Sequence, residues 1–222
     1  MSERAGRILT AAAELFLRFG VAKTTVDDIA RAAGVSKGSV YLEFRGKDEL
    51  FEALVKAEVR GYLDAVLGRV EGDPEGGRLG RIYRHAIDEL LARPLLMALY
   101  TRDADLLGAM VRRHGAARYA PRFPLGREFV ERLQAAGLVR PDVDPGALSD
   151  AMAVVSVGLV MAPPLHGDGR NWPLPGTVDL LATMVTEVAE PPDAGGADQA
   201  AVAAGKAAFA ALCRRLAEEI AS

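Results

Sequence analysis

Lys37, Gly38, Ser39, Tyr41, Leu42 and Glu43 fall within the stretch KGSVYLE, where an ammonium, a hydroxyl, a phenol and an apolar side chain sit close enough to meet one ligand surface. The ligand they suit is a duplex nucleic acid. Hydroxyl and basic groups meet phosphate oxygens, small residues allow close approach, and a few longer side chains reach base edges. Lys37 can donate to guanine acceptors and Leu42 can pack on a thymine methyl, so these two are the candidates for base readout. Thr25 and Ser39 can offer hydroxyls to phosphate, Tyr41 a phenol on a rigid arm, and Lys47 an ammonium.

These groups need a scaffold that turns them outward, and residues 24–47, TTVDDIARAAGVSKGSVYLEFRGK, specify one. Thr25 caps a helix, with Asp28 three residues on, and Asp27 and Asp28 complement the positive helix end. Ile29, Ala30 and Ala33 give this helix an apolar side. Gly34 stops it, because the residue past a last turn commonly takes the left-handed conformation that glycine adopts without strain. Val35 plugs the turn. Ser36 then caps a second helix of about two turns, whose inward residues Val40 and Phe44 lie four apart on one face. The pair reads as a helix-turn-helix with its second helix presented to DNA.

The run GVSKGSVYLEFRGKDEL, residues 34–50, resembles the signature of the TetR family of bacterial transcriptional regulators, roughly G-V-S-x-G-[ST]-[LIV]-Y-x-x-F-x-x-K-[DE]-x-L. The likeness covers about the first quarter of the chain. It implies an N-terminal helix-turn-helix DNA-binding domain over 1–47, a linking helix over 48–70, and an effector-binding and dimerisation domain over 71–222. It also implies a homodimeric, sequence-specific regulator, usually a repressor released from a palindromic double-stranded DNA operator by a small-molecule effector. Thr25, Lys37, Ser39, Tyr41 and Lys47 occupy the positions that the resemblance assigns to DNA contact; Ser36, Gly38 and Leu42 complete the expected surface. Glu43 departs from the pattern, where His or Tyr is common. A carboxylate beside phosphates is repelled unless it accepts from cytosine N4 or pairs with a base, and a salt bridge to Lys47, four residues on, is the favoured outcome.

The chain has 222 residues, half of them hydrophobic, and a net charge of −3. It can bury a sizeable core, but any attraction to DNA must come from where its Lys and Arg residues sit rather than from their total. Cys213 is the only cysteine, which excludes an intramolecular disulfide and suits a reducing compartment. The N-terminus lacks the apolar core of a signal peptide, and no run approaches the roughly eighteen apolar residues of a membrane span. A cytoplasmic protein with no membrane partner is expected.

Helical periodicity continues throughout, so the fold class is all-α, with about nine or ten helices and no sustained two-residue alternation. Ile8, Ala12, Leu15, Phe16 and Phe19 form the stripe of a first helix, closed by Gly20 and packed on the helix-turn-helix. A long helix follows over 48–70. Residues 71–80 form a turn-rich break; Gly76, Gly77 and Gly80 are not a phosphate cradle, since no strand precedes them and no Lys-Ser/Thr follows. Further helices run over 79–91, from 95 onward, through 129–133 to Gly137, and over 198–221.

Tyr83, Met97, Tyr100, Met110, Phe123 and Phe129 supply the apolar and aromatic surface of an effector pocket, with Trp172 as a lid, although core packing explains the same residue types. The effector is therefore expected to be largely apolar or aromatic. His85 is expected to pair with Asp88 or Glu89 on its own helix. Arg112, Arg113, His114, Arg118, Arg122 and Arg127 could grip an anion, but they follow no helical face and a solvated loop is preferred. The three histidines, including His166, lie far apart, so no metal site, cofactor or catalytic constellation is indicated. An enzyme of the helical body, or a structural dimer without DNA binding, is the alternative.

Residues 145–161 begin with Pro145 in a first helical turn capped by Asp144, and residues 151–161 are apolar except for Ser156. A helix apolar on every side needs cover on every side. Met152, Val155 and Leu159 on this helix, with Leu181, Met184 and Val188 on a helix over 176–189, are the expected dimer interface. The resemblance makes these helices and their mates a four-helix bundle, with the recognition helices about 34 Å apart.

Overall fold

The computed structural model describes residues 2–101, 125–161, 176–192 and 198–221. Among them are ten helices and no strand: α1 (Glu3–Lys23), α2 (Val26–Ala32), α3 (Lys37–Glu43), α4 (Lys47–Gly72), α5 (Leu79–Leu91), α6 (Pro94–Thr101), α7 (Arg127–Ala135), α8 (Pro145–Met161), α9 (Thr177–Ala189) and α10 (Gln199–Ala221). They gather into two compact units. One takes the described residues of 1–60 and 93–121 and the other those of 61–92 and 122–222, so the division falls inside α4.

In the first unit, Ser2 caps α1 by accepting from the Ala5 amide at 3.0 Å. Ile8, Ala12 and Phe16, each four residues from the next, are fully buried, and the Phe16 and Phe51 rings meet at 5.9 Å. Fully burying a side chain the size of Ile8 or Phe16 stabilises the fold by about 1.5–3 kcal/mol. Phe19 does not join this stripe: it is 47% exposed, beneath the Arg18 guanidinium at 5.0 Å. Just after it Gly20, with a φ of 79°, breaks the helical phase, and Val21 beyond the break is buried. Leu50, Phe51 and Leu54 of α4 complete the core, and Leu95, Leu96 and Leu99 of α6 are buried in the same unit.

In the second unit, Leu79, Ile82, Tyr83, Ala86, Ile87 and Leu90 form the buried face of α5, which packs on α9. The α8 helix buries Leu148, Met152, Ser156 and Leu159, and its Ser156 hydroxyl donates to the Met152 carbonyl at 2.7 Å and meets the Tyr83 phenol at 3.1 Å. As the sequence indicates, Asp144 caps this helix, accepting from the Ala147 amide at 2.7 Å. The terminal α10 helix covers the body of the unit: it packs on α7, with Phe209 edge-on to Phe129 at 6.0 Å.

The glycines of the 73–78 turn serve backbone packing. A Cβ on Gly205 would overlap the Gly77 carbonyl oxygen, and one on Gly77 would overlap the Val202 carbonyl, so α10 crosses the turn in direct main-chain contact. The same turn carries polar ties. Glu190, with a side chain 2% exposed, accepts from Arg78 Nε at 2.8 Å and from the Gly80 amide at 2.8 Å. Asp73 accepts from Arg81 Nε at 2.7 Å, from the Glu75 amide at 3.0 Å, and is 2.9 Å from His85 Nε2. His85 therefore pairs with Asp73 rather than with Asp88 or Glu89, which face Arg84 and Arg69. The turn folds the end of α4 back beside α5, a closeness that spacing along one helix cannot reveal.

Gly205→Ala is expected to lower the unfolding free energy by about 1–3 kcal/mol through overpacking, whereas Gly68→Ala, where a Cβ meets nothing within 4 Å, raises it by about 0.5–1 kcal/mol; equal effects in urea titrations would contradict this packing. Burial raises the Asp73 carboxyl pKa, but the bonds from Arg81, His85 and the Glu75 amide outweigh it and hold the group at about 2. Its stabilisation is present above the unfolded value of 3.8 and lost as pH falls from there through about 2. Asp73→Asn should therefore cost roughly 2 kcal/mol at pH 7 and much less near pH 2, measured by denaturant titration at each pH.

Candidate nucleic-acid interface

Short helices leave most of their end groups without helical partners, and α2 and α3 meet this with side chains. Thr25 and Asp28 form a reciprocal capping box: the Asp28 amide donates to the Thr25 hydroxyl at 3.2 Å, and the Thr25 amide donates to Asp28 Oδ2 at 3.1 Å. The Thr25 hydroxyl also donates to Asp28 at 2.6 Å, and these bonds hold the Asp28 carboxyl below its ordinary pKa. Gly34 takes a φ of 65° after α2, as its position requires, and the Val35 amide returns to the Ala30 carbonyl at 3.0 Å. Ser36 caps α3 through the Ser39 amide at 3.1 Å.

These ends fix which way α3 faces. Val40 and Phe44 are 1% and 7% exposed, whereas Tyr41 and Leu42 are 48% and 78% exposed, so an apolar side chain stands almost wholly in solvent on the outer side. Lys37, Gly38 and Ser39 share the exposed part of the first turn or its margin. A Cβ at Gly38 would have only the Ser36 hydroxyl near it, at 3.7 Å, so the fold itself does not demand glycine there. The Ser36 and Ser39 hydroxyls lie 2.9 Å apart and use one of their two protons on each other, leaving the other for an outside acceptor. Lys37 donates to Asp27 at 2.9 Å, and this bond, with the attraction behind it, raises the ammonium pKa. Two of its three N–H groups stay available.

Two charged residues are placed differently from expectation. Glu43 does not pair with Lys47. Its Oε1 accepts from Arg4 Nε at 2.8 Å and from the Ser2 hydroxyl at 3.0 Å, and these bonds lower its pKa. The reason is that α3 ends at Glu43 and Phe44 is extended, so residues 43 and 47 are not on one helix face. Lys47 instead points at the backbone following the Gly20 kink, donating to the carbonyls of Val21, Thr24 and Ala22 at 2.7, 3.1 and 3.4 Å. Ser2 and Arg4 were not legible as part of this interface, since nothing local links them to residue 43.

In the second unit, Tyr83 and Phe129 of the expected pocket are buried at 1% and 2% exposure, one bonded to Ser156 and the other packed on Phe209. Met97 is half-buried in the first unit. Met110, Phe123, Trp172 and His166, the arginine-rich stretch from Arg112 to Arg122 with His114, and the side chain of Tyr100 lie outside the described residues. A hollow of about 330 Å³ lies between α5 and α9, lined by Gly80, Arg81, Arg84, Asp179, Thr183 and Thr186 among others, and none of these was an expected pocket residue.

The α8 and α9 helices carry an exposed apolar surface. On α8 it consists of Val154, Val155 and Val157, between 41% and 71% exposed, and on α9 of Leu180, Met184 and Val188, between 55% and 62% exposed. Met152 and Leu159, expected at the dimer interface, are instead 3% and 5% exposed within the chain's own core, and Leu181 is half-buried. A helix apolar all round has no period to separate its inner face from its outer one, which is why Val154 and Val157 on α8 were missed.

Residues 8–54 match the family model described as bacterial regulatory proteins, tetR family. The HTH-type transcriptional regulator SrpR of Pseudomonas putida is 49% identical over 49 residues, 22% of this chain and 23% of that protein. The chain thus matches about a quarter of the length of that curated relative. Among solved structures, NalD of Pseudomonas aeruginosa, the secondary repressor of the MexAB-OprM multidrug efflux pump, has a TM-score of 0.54 at 25% identity over 86% of this chain and 98% of its own. The SmeT–triclosan complex shares the fold with a TM-score of 0.60 at 20% identity, over 86% of this chain and 94% of that one. The matched relatives are regulators, in keeping with the absence of any catalytic constellation in the sequence.

Lys37→Ala is expected to relax discrimination among DNA sequences by about 1–3 kcal/mol at the affected base pair. Competition mobility shifts with single-base variants of the bound site measure this, and uniform weakening across all variants would show that Lys37 contacts the backbone only.

Proposed function

We infer that this chain, which belongs to the bacterial tetR family through residues 8–54, is a dimeric sequence-specific regulator of transcription that works in the cytoplasm, most simply as a repressor released from a palindromic operator by a small molecule. The observation that carries the reading is the outer side of α3, where Tyr41 and Leu42 stand exposed beside Lys37 and a hydroxyl pair while the inner side is packed. Leaving Leu42 in solvent gains the free chain nothing, whereas against DNA it becomes a contact for a thymine methyl. Thr25, Ser36, Gly38 and Ser39 frame this surface at the helix starts, where backbone amides favour phosphate.

The exposed apolar faces of α8 and α9 support dimerisation, since a patch of this kind marks an association surface. A two-fold pair places two recognition helices about one DNA turn, or roughly 34 Å, apart, and operator palindromy follows. Among the described residues no helix is long and apolar enough to cross a membrane. An effector that binds one arrangement of the dimer better than another shifts the spacing of the two α3 helices and with it the affinity for DNA. The SmeT complex with triclosan and the repression of an efflux pump by NalD favour a largely apolar or aromatic effector and a repressor.

A genome-fragment selection with purified protein should recover palindromic sites with half-site centres about 10 base pairs apart. Affinity for them should fall steeply, roughly a thousandfold or more, between 50 and 200 mM salt. A selection that enriches no sequence would overturn the proposal. Met184→Glu, on an exposed position, should leave the fold intact while sedimentation shows a shift to monomer and operator affinity drops; an unchanged dimer would remove α9 from the interface.

A further inference from the structure

The three carbonyls around Lys47 are not incidental acceptors. An α-helix ends with carbonyls that lack a helical partner. Here the local cap deepens the shortage: the amide four residues after Val21, that of Thr25, donates to Asp28 Oδ2, and the amide four after Thr24, that of Asp28, donates to the Thr25 hydroxyl. The Val21 and Thr24 carbonyls are thereby left without those amides, and Gly20, with non-helical φ 79° and ψ 156°, interrupts α1 just before them. An ammonium has three N–H donors and no acceptor. Lys47 Nζ meets three carbonyls, at 2.7, 3.1 and 3.4 Å, so each of its donors has a partner within the protein, and its charge also complements the negative end of α1.

We propose that Lys47 is a positioning residue, which ties the start of α4 to the α1–α2 junction and so sets where α2 and α3 sit, and that the phosphate contact expected of it is made by Arg45. This rests on the DNA-binding reading above and assigns roles within it. Arg45 lies on the exposed turn between α3 and α4; its backbone amide donates to Glu49 at 2.7 Å, but its guanidinium has no side-chain partner among the described residues. A guanidinium in place of the Lys47 ammonium would keep the charge, yet its planar fork does not converge on three carbonyls.

The two roles separate by salt dependence. Each phosphate contact adds about 0.9 to the slope of log affinity against log salt on duplex DNA. With the fragment recovered by selection, and at a temperature where circular dichroism shows every variant folded, Lys47→Met and Lys47→Arg should both lower the ratio of specific to non-specific affinity. The expected loss is roughly tenfold, as for one mismatched base pair, with the salt slope unchanged. Arg45→Ala should instead make the slope shallower by about 0.9 and leave that ratio near the wild-type value. Lys47→Arg retaining wild-type affinity, or Lys47→Met losing about one unit of slope, overturns the proposal. So does an unchanged slope for Arg45→Ala. If Lys47→Met does not fold, Lys47→Arg decides. A wild-type protein without any sequence preference would count against the regulator itself; the thermal midpoint of Lys47→Arg, expected to fall in either case, then still reads the clasp.

Discussion

Backbone groups freed at the ends of short helices must find partners, and the N-terminal unit is organised by that constraint. Two seven-residue helices cannot hold their ends by propagation, so α2 is closed by the Thr25–Asp28 box, α3 by Ser36, and the kinked end of α1 by Lys47. Each closure uses a polar side chain that would otherwise face solvent. What remains on the outer side of α3 is therefore selective: one exposed apolar residue, one phenol, one ammonium with a single N–H given to Asp27, and one spare hydroxyl proton. That composition suits base edges and phosphates better than a uniformly basic surface would, and it explains how a chain of net charge −3 can present a DNA-reading helix.

The second unit meets a different constraint, close packing of helices with little room for side chains between them. Gly77 and Gly205 let main chain meet main chain, and a Cβ on Gly80 would overlap the Thr186 hydroxyl. The buried Arg78–Glu190 pair then ties α5 to the end of α9, with the Gly80 amide completing the carboxylate's partners. A buried charge held this way is costly to break, by about 3–5 kcal/mol when one partner is removed, which favours a single register of α9 on α5. The register matters because it decides which side chains of α9 face outward, among them Leu180 and Met184.

Local chemistry was legible in the sequence and distant chemistry was not. Thr25, Gly34, Ser36, Asp144 and Gly137 act through neighbours a few residues away, and the structure places them as caps and positive-φ turns where spacing alone puts them. The pairing of Glu43 with Arg4, of His85 with Asp73 and of Lys47 with carbonyls near residue 22 spans from 12 to 39 positions, and the i, i+4 rule offered nearer but wrong partners for the first two. The all-round apolar α8 hid its orientation for a physical reason, since Met152 inside and Val154 outside are equally hydrophobic. The expected pocket suffered from the same ambiguity: Tyr83 and Phe129 satisfy a packed core as well as they would a ligand.

The most direct test of the central claim, that the outer side of α3 enters DNA as one of a two-fold pair, uses Leu42 itself. Cys213 is the only cysteine; it is buried, and burial, foremost among the influences on it, pushes its thiol up to about 12, so it will not compete for a thiol reagent. Leu42→Cys can therefore carry a DNA-cleaving iron chelate at one place. The expected result on the selected fragment is two clusters of cuts related by the centre of the palindrome and about one helical turn, roughly 10 base pairs, apart. Cuts spread evenly along the fragment, or a single cluster, would contradict it.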